Sequence, residues 1–283
     1  MDQAAQTSTE EPVVAQEDES TAGVSRLSFL ATGVAAGVGA TLLGPLGRSA
    51  TALADPGKAG LSKGDAAILR FLAAAELLEA DLWQQYNELG GIQDAQVPGG
   101  SGSPRYVSAL EVLDEDMSQY IHDNTHDEVS HFTFINAYLK SRGADPVDLD
   151  RFRNLPSSKA TGAQQIGRLT NLTELTVDTS WWTKYRSSTK NPDFGDKFPQ
   201  AVPGMAAGRF PAIPRSDSDL EPANHIQAIA NTAGFHFGAV EQTGASLYPS
   251  LAQRVSDPEV LRVLLSIGPV SYTHLTLPTI LRV

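Results

Sequence analysis

Carboxylates recur at positions where three long amphipathic segments bury their apolar side chains. Segment 62–89 reads as a helix: Ser62 can cap it, Asp65 sits in its first turn, Ala and Leu dominate, and Gly90-Gly91 stops it. Its three-four seam runs Leu69, Leu72, Glu76, Glu79, Trp83, Tyr86, so two acids lie in the apolar stripe. A second helix is expected over about 105–142, ended by Gly143, with the seam Leu110, Leu113, Met117, Ile121, Asn124, Glu128, His131, Ile135, Tyr138. A third, over about 221–251, aligns Ala230, Ala233, Phe237, Glu241, Gly244 and Tyr248. The run "DPEVLRVLLSIGPV" opens a fourth, with Asp257 as N-cap and Pro258 at the first helical position.

An ionised carboxylate left unpaired in an apolar seam is costly, so a single such residue would call the helical phase into question. Recurrence on three helices asks for a shared cause. A divalent metal pair in a bundle core supplies one, taking a Glu from each of two helices and a Glu-x-x-His from each of the other two. The three-residue spacing puts both side chains of Glu128-Val-Ser-His131 on one helix face, close enough for one ion. A metal-free buried polar network is the other meaning of the same pattern. The chain has no cysteine, so thiolate nucleophiles and Cys-based sites are excluded and any ion is held by oxygen and imidazole. Such ligands accept Fe, Mn and Zn alike.

Four long amphipathic helices with little strand pattern predict an all-α fold, a four-helix bundle with a long crossover. The crossover is an irregular insertion over about 145–222, rich in proline, which reads as a lid or packed cover. Its "LTNLTELTVDTSWW" fits a short strand or a helical turn, and Trp181 and Trp182 are expected to pack within the cover. His122 and His126, four apart near Glu115, have zinc-ligand spacing but read more simply as a solvated polar face, and His225 and His236 have no partners at ligand spacing.

Both ends differ in texture from this frame. Residues 1–54 read as a polar, acidic leader followed by an export signal that ends in Ala52-Leu53-Ala54, with cleavage expected near Ala54 and a periplasmic or extracellular destination. Ser25-Arg26-Leu27-Ser28-Phe29-Leu30 is similar to the twin-arginine export motif, with Leu27 in place of its second arginine. The glycines between Leu27 and Leu46 make a membrane span a poor alternative, so no stable span is expected after processing. At the other end the helical period stops after Val270. "VSYTHLTLPT" resembles one reading frame of the mosaic-end adapter used in transposon-based sequencing libraries, so 271–283 is expected to be a non-native tail and the fourth helix truncated.

The formal net charge of -12, with no Lys/Arg cluster or basic helix, removes the electrostatic footprint of a nucleic-acid binder. Metal ions are the partners the seams imply. Oligomeric state is not legible in them.

Three motifs carry a resemblance to the ferritin-like superfamily, in particular to its exported bacterial branch related to plant desiccation-associated proteins. They are "AELLEADLW", with Glu76 seven residues before Trp83; "HDEVSHFTFINAYL", with Glu128 and His131; and "VEQTGASLY", with Glu241, Gly244 and Tyr248. The resemblance spans most of 62–270. It implies Glu76, Glu128, His131 and Glu241 as metal ligands, with Glu79 the rival to Glu76 because Tyr86 follows it by seven. It also implies a Glu-x-x-His on the fourth helix, where this chain has Ser271-Tyr-Thr-His274 and no Glu, so an incomplete two-metal site is expected. The activity implied is oxidative chemistry with oxygen or peroxide at paired Fe or Mn. A non-catalytic exported stress or envelope scaffold, binding a partner through its insertion, is the alternative.

Overall fold

The computed structural model describes residues 60–280 apart from 192–193, 203, 206–208 and 223–224; the side chains of Tyr185 and of 277–280 are likewise outside the description. The leader, its cleavage point near Ala54 and residues 281–283 therefore lie outside the described residues. Among the described residues six α-helices follow in order: α1 Lys63–Gly90, α2 Pro104–Glu111, α3 Met117–Ser141, α4 Ser180–Arg186, α5 Ile226–Ala252 and α6 Pro258–Ile280. Short 3-10 turns occupy Asp150–Phe152 and Asp217–Leu220. Among the described residues the only β-pairing is two isolated bridges, Leu155 with Arg168 and Lys159 with Ser216.

α1 begins where its cap requires. The Ser62 hydroxyl accepts the Asp65 backbone N–H at 3.0 Å, and the Asp65 carboxylate accepts the N–H and hydroxyl of Ser256 at 2.8 and 2.7 Å. The start of α1 is thereby tied to the loop before α6. Asp257 accepts the Glu259 N–H at 2.8 Å and opens α6.

The helix expected over 105–142 is two helices. Between α2 and α3, Leu113 N–H bonds to Leu110 O and Met117 N–H to Asp114 O, which turns the chain. Asp114 Oδ1 also accepts the Asp116 N–H at 3.2 Å, an alternative to continued helix that short acidic side chains favour. The third helix starts at Ile226 rather than 221, after His225 at φ 67°. The fourth continues to Ile280, so the segment read as aperiodic after Val270 is helical, with Ser271 and His274 buried.

α1 pairs with α3 and α5 with α6, while α2 packs across α5, α1 and α3. The apolar core is divided in two. One cluster gathers Trp83, Tyr86, Tyr106, Leu110, Ile121 and Phe237; the other gathers Leu69, Leu72, Ile135, Leu139, Tyr248 and Leu264. Along α1 the residues between the clusters are Glu76 and Glu79, along α3 Glu128 and His131, and along α5 Glu241 and Gly244. The seams thus interrupt their apolar pattern at one common level, a polar layer closed above and below by apolar packing.

The insertion is clamped to α1 by two buried acids. Asp81 accepts Arg153 at 2.7 Å, the backbone N–H groups of Leu169 and Thr170 at 3.1 and 2.9 Å, and the Thr170 hydroxyl at 2.7 Å. Glu88 pairs with Arg168, both side chains about 1% exposed, and accepts Gln164 N–H at 2.9 Å. A packed cover is what these bonds make of the segment. Trp181 and Trp182 depart from expectation: they face solvent at 51% and 55% exposure. No helix among the described residues is long and apolar enough to cross a membrane.

Candidate metal centre

In the polar layer, Glu76, Glu128 and His131 converge so that one ligand atom from each lies within 4.8 Å of the others, all three side chains buried. His131 Nδ1 is 3.2 Å from Glu76 Oε2 and 3.2 Å from Glu128 Oε2. The i,i+3 spacing on α3 brings Glu128 and His131 together, and the α1–α3 pairing brings Glu76 across to them. Tyr248 of α5 donates its hydroxyl hydrogen to the other Glu76 oxygen. Glu76 is therefore held by both neighbouring helices.

Burial pushes Glu76 upward, but hydrogen bonds with Glu128 and His131, the His131 charge and the Tyr248 hydroxyl outweigh it and hold Glu76 below the ordinary carboxylate range. Burial and the negative charge of Glu76 raise Glu128 well above that range. His131 is opposed by burial, yet the hydrogen bond and charge of Glu76 raise it and favour the imidazolium. These directions favour the ionised form of Glu76 and the protonated forms of Glu128 and His131. A divalent ion held there would compete with those protons.

Across the layer, Glu241 of α5 is about 1% exposed and neither of its oxygens has a hydrogen-bond partner. His274 of α6 points Nδ1 at Glu241 Oε2 from 3.7 Å, also without a hydrogen bond, while its Nε2 meets Asp127 Oδ2 at 3.2 Å. Burial pushes Glu241 up to about 8, against the opposing pull of His131 and of the Trp83 indole. Glu79 is also pushed up to about 8, by burial and then by the charges of Glu76 and Glu241. A buried carboxylate without a hydrogen-bond partner, facing an imidazole, keeps a desolvation cost that His131 and the Trp83 indole offset only in part. A cation placed there would lower that cost, but the one group of three possible ligands among the described residues is Glu76, Glu128 and His131.

Gly244 sets the width of this second side. A Cβ at 244 would stand 2.5 Å from Ser271 Oγ and 3.9 Å from Glu79 Oε2. The serine occupying the expected fourth-helix Glu position therefore lies against α5, on the Glu79 side of the layer. Gly268 allows a similarly close approach from α6, where a Cβ would stand 2.6 Å from Tyr248 Cβ.

Of the five residues expected as ligands, the structure gathers Glu76, Glu128 and His131 in one group and leaves Glu241 and Glu79 as the second side. His122 departs from the solvated face expected of it: it is buried, 3.1 Å from Asp94 and 3.4 Å from Asp123. His236 takes the buried Tyr86 hydroxyl at 2.7 Å and is lowered to about 4 by burial. Sequence reasoning missed Asp127, whose place beside Glu128 put it off the seam; the partner that draws it in, His274, lies on another helix.

No curated protein and no solved structure gives a significant match to the chain. A family model described as a ferritin-like domain matches residues 64–277, nearly all of the bundle together with its insertion. With most of its length matched, this chain belongs to the ferritin-like domain family.

Proposed function

We propose that the polar layer is a carboxylate-histidine centre for iron or manganese, two ions when complete, serving oxidative chemistry with oxygen or peroxide. The observation that carries this reading is the convergence of Glu76, Glu128 and His131 within 4.8 Å between two apolar clusters. Iron or manganese held there would supply the change of oxidation state on which such chemistry depends.

The protein's own role is to bind and to exclude. Glu76, Glu128 and His131 hold the first position, and Glu241 with His274 and Glu79 face the second. Tyr248 fixes the orientation of Glu76 through its hydroxyl. The packing of Trp83 on Phe237, ring centroids 4.9 Å apart, closes one side against water. The protons favoured on Glu79, Glu128 and Glu241 leave when a cation enters, so occupancy is linked to proton release. The reading extends to an exported protein processed near Ala54, with stress protection as its role.

The test is metal content. The purified chain, loaded with Fe(II) or Mn(II) and desalted, is expected to retain the ion in near-stoichiometric amount by elemental analysis, and Glu128→Ala to lose it with helix content unchanged. A folded full-length protein that takes up no transition metal rejects the reading.

One observation favours a second reading. His131, Glu76, Glu128 and Tyr248 already satisfy one another without an ion, and Ser271 stands where the family pattern has a carboxylate. A ferritin-like scaffold without catalysis would then be indifferent to chelators, with thermal stability surviving alanine at Glu76, Glu128 and Glu241.

A further inference from the structure

The described residues of the stretch 178–201 form a preformed element that the metal layer does not use. At its base, Asp178 Oδ1 accepts Ser180 N–H at 3.0 Å and Gln200 Nε2 at 2.7 Å. Gln200 Oε1 accepts the N–H and hydroxyl of Thr179 at 2.9 and 2.7 Å. Thr183 closes the clasp by donating to Pro199 O at 2.7 Å. Thr179 and Ser180 are buried, so the base of the loop is anchored in the fold and α4 is held in place above it. Toward the far end, Lys190 Nζ donates to Lys197 O at 3.0 Å and Asn191 N–H to Asp196 at 3.0 Å.

What this loop presents runs against the acidic balance of the chain. Trp181, Trp182 and Phe194 are 51%, 55% and 86% exposed, three large aromatic side chains in water on one short stretch. Each indole carries a cation on its face: Lys184 Nζ lies 3.9 Å from the Trp181 ring centroid and Arg186 Cζ 3.5 Å from that of Trp182. Lys190 and Lys197 bring the stretch 178–201 to four basic side chains against three acidic ones, Asp178, Asp193 and Asp196, a small positive excess in a chain whose formal net charge is -12. Exposed rings and cations thus share one loop of a surface that on balance repels anions.

We infer that this loop docks the protein on an anionic lipid surface, with Trp181, Trp182 and Phe194 entering the headgroup boundary and Lys184, Arg186, Lys190 and Lys197 meeting lipid phosphates. Exposed aromatic area gains little from a hydrated acidic partner but gains from transfer to the boundary between headgroup and acyl chain, where indoles have both an apolar body and a polar N–H. Juxtaposed lysine and arginine provide attraction to anionic headgroups, which falls away within a Debye length. The acidity of the remaining surface then selects the orientation, with the loop foremost. Because the clasp already holds α4, little ordering entropy opposes docking. The metal centre is not involved, and Glu128→Ala is expected to bind lipid as the parent chain does.

The experiment is flotation of the full chain with vesicles of phosphatidylcholine containing about one-third phosphatidylglycerol, against phosphatidylcholine alone, with brominated lipid as quencher. The chain has three tryptophans, and Trp83 is only 1% exposed, so quenching reads Trp181 and Trp182 alone. Expected are binding to anionic vesicles about tenfold or more above neutral ones, and quenched, blue-shifted indole emission. Lys184→Glu with Arg186→Glu is expected to abolish the charge preference. Trp181→Ala with Trp182→Ala is expected to weaken binding about tenfold, with melting temperature unchanged because both side chains face solvent. Absence of vesicle binding overturns the inference, as does binding without quenching or double variants that bind as the parent does. Capture by soluble heparin with no quenching from brominated lipid also overturns it, and assigns the loop to an anionic polymer.

Discussion

His131 Nδ1 lies 3.2 Å from Glu76 Oε2, joining α3 to α1 across 55 residues of sequence at the centre of the bundle. The opposite oxygen of Glu76 accepts the Tyr248 hydroxyl of α5, so a single carboxylate is positioned by two other helices. Tyr248 is not itself a ligand candidate, yet it fixes which way Glu76 points. Tyr248→Phe keeps the ring's packing and removes only the donor. Metal affinity is expected to fall about 10- to 100-fold, the range seen when an outer partner of a ligand is lost. Competition with a chromogenic chelator measures it; an unchanged affinity means that Glu76 is oriented by packing alone.

The protonation of the layer gives the metal-free protein an unusual pH profile. Glu79 and Glu241 are each raised to about 8 by burial, with the charges of neighbouring carboxylates adding to it. In the unfolded chain carboxyls of this type release their protons near pH ~4.3. Between those values the folded state holds more protons than the unfolded state, so stability falls as pH rises through that window. His131 acts in the same direction: its raised pKa adds stability at low pH that is lost as pH rises through the folded value. Asp127 and Glu76, both lowered, act oppositely, but their contribution disappears only on acidification into the carboxylate range. In chelator the melting temperature is expected to decline from about pH 5 to about pH 8, whereas metal affinity rises over the same interval as the competing protons leave. A melting temperature that climbs with pH in chelator contradicts the assignment.

Glu88 and Arg168 secure the insertion to α1 as a pair almost wholly withdrawn from water. Burial raises the pKa of Glu88, and Arg168 opposes that rise. Removing one partner strands the other. Glu88→Ala leaves the Arg168 guanidinium buried and unpaired, and is expected to cost about 3–5 kcal/mol in denaturant unfolding. The same variant should expose 153–170 to limited proteolysis while leaving Glu76, Glu128 and His131 assembled. Loss of less than about 1 kcal/mol would mean that the pair is solvated in solution.

The features of the fold legible in the sequence are those with a period. The α1 cap at Ser62, the Glu128/His131 pair and the Glu241–Gly244–Tyr248 side of α5 all follow from spacing, because a helix converts spacing directly into a shared face. The break between α2 and α3 does not, since Leu110, Leu113, Met117 and Ile121 keep a helical rhythm straight through it. There the local bonds of Asp114 decide, and these carry no period. Long-range pairing is equally hidden: nothing near Asp81 or Glu88 announces Arg153 or Arg168, which reach them from an aperiodic segment. The exposure of Trp181 and Trp182 escaped for a related reason, because aromatic content signals burial only where a pattern says which side is inside.

Ser271 is where the second side of the layer can be tested most directly. It lies against Gly244, so close that Gly244→Ala forces a Cβ to within 2.5 Å of the Ser271 hydroxyl, and about 1–3 kcal/mol of overpacking is expected from that change. Ser271→Glu, by contrast, supplies a carboxylate three residues before His274 and completes a Glu-x-x-His on α6. Without metal the added acid joins Glu79 and Glu241 in a crowded, buried layer, and the melting temperature is expected to fall in chelator. With Fe(II) or Mn(II) the order reverses: the variant should hold more metal per chain than the parent and gain more in melting temperature on loading. If it gains neither, the second side does not bind a cation and the layer is a one-ion or structural site.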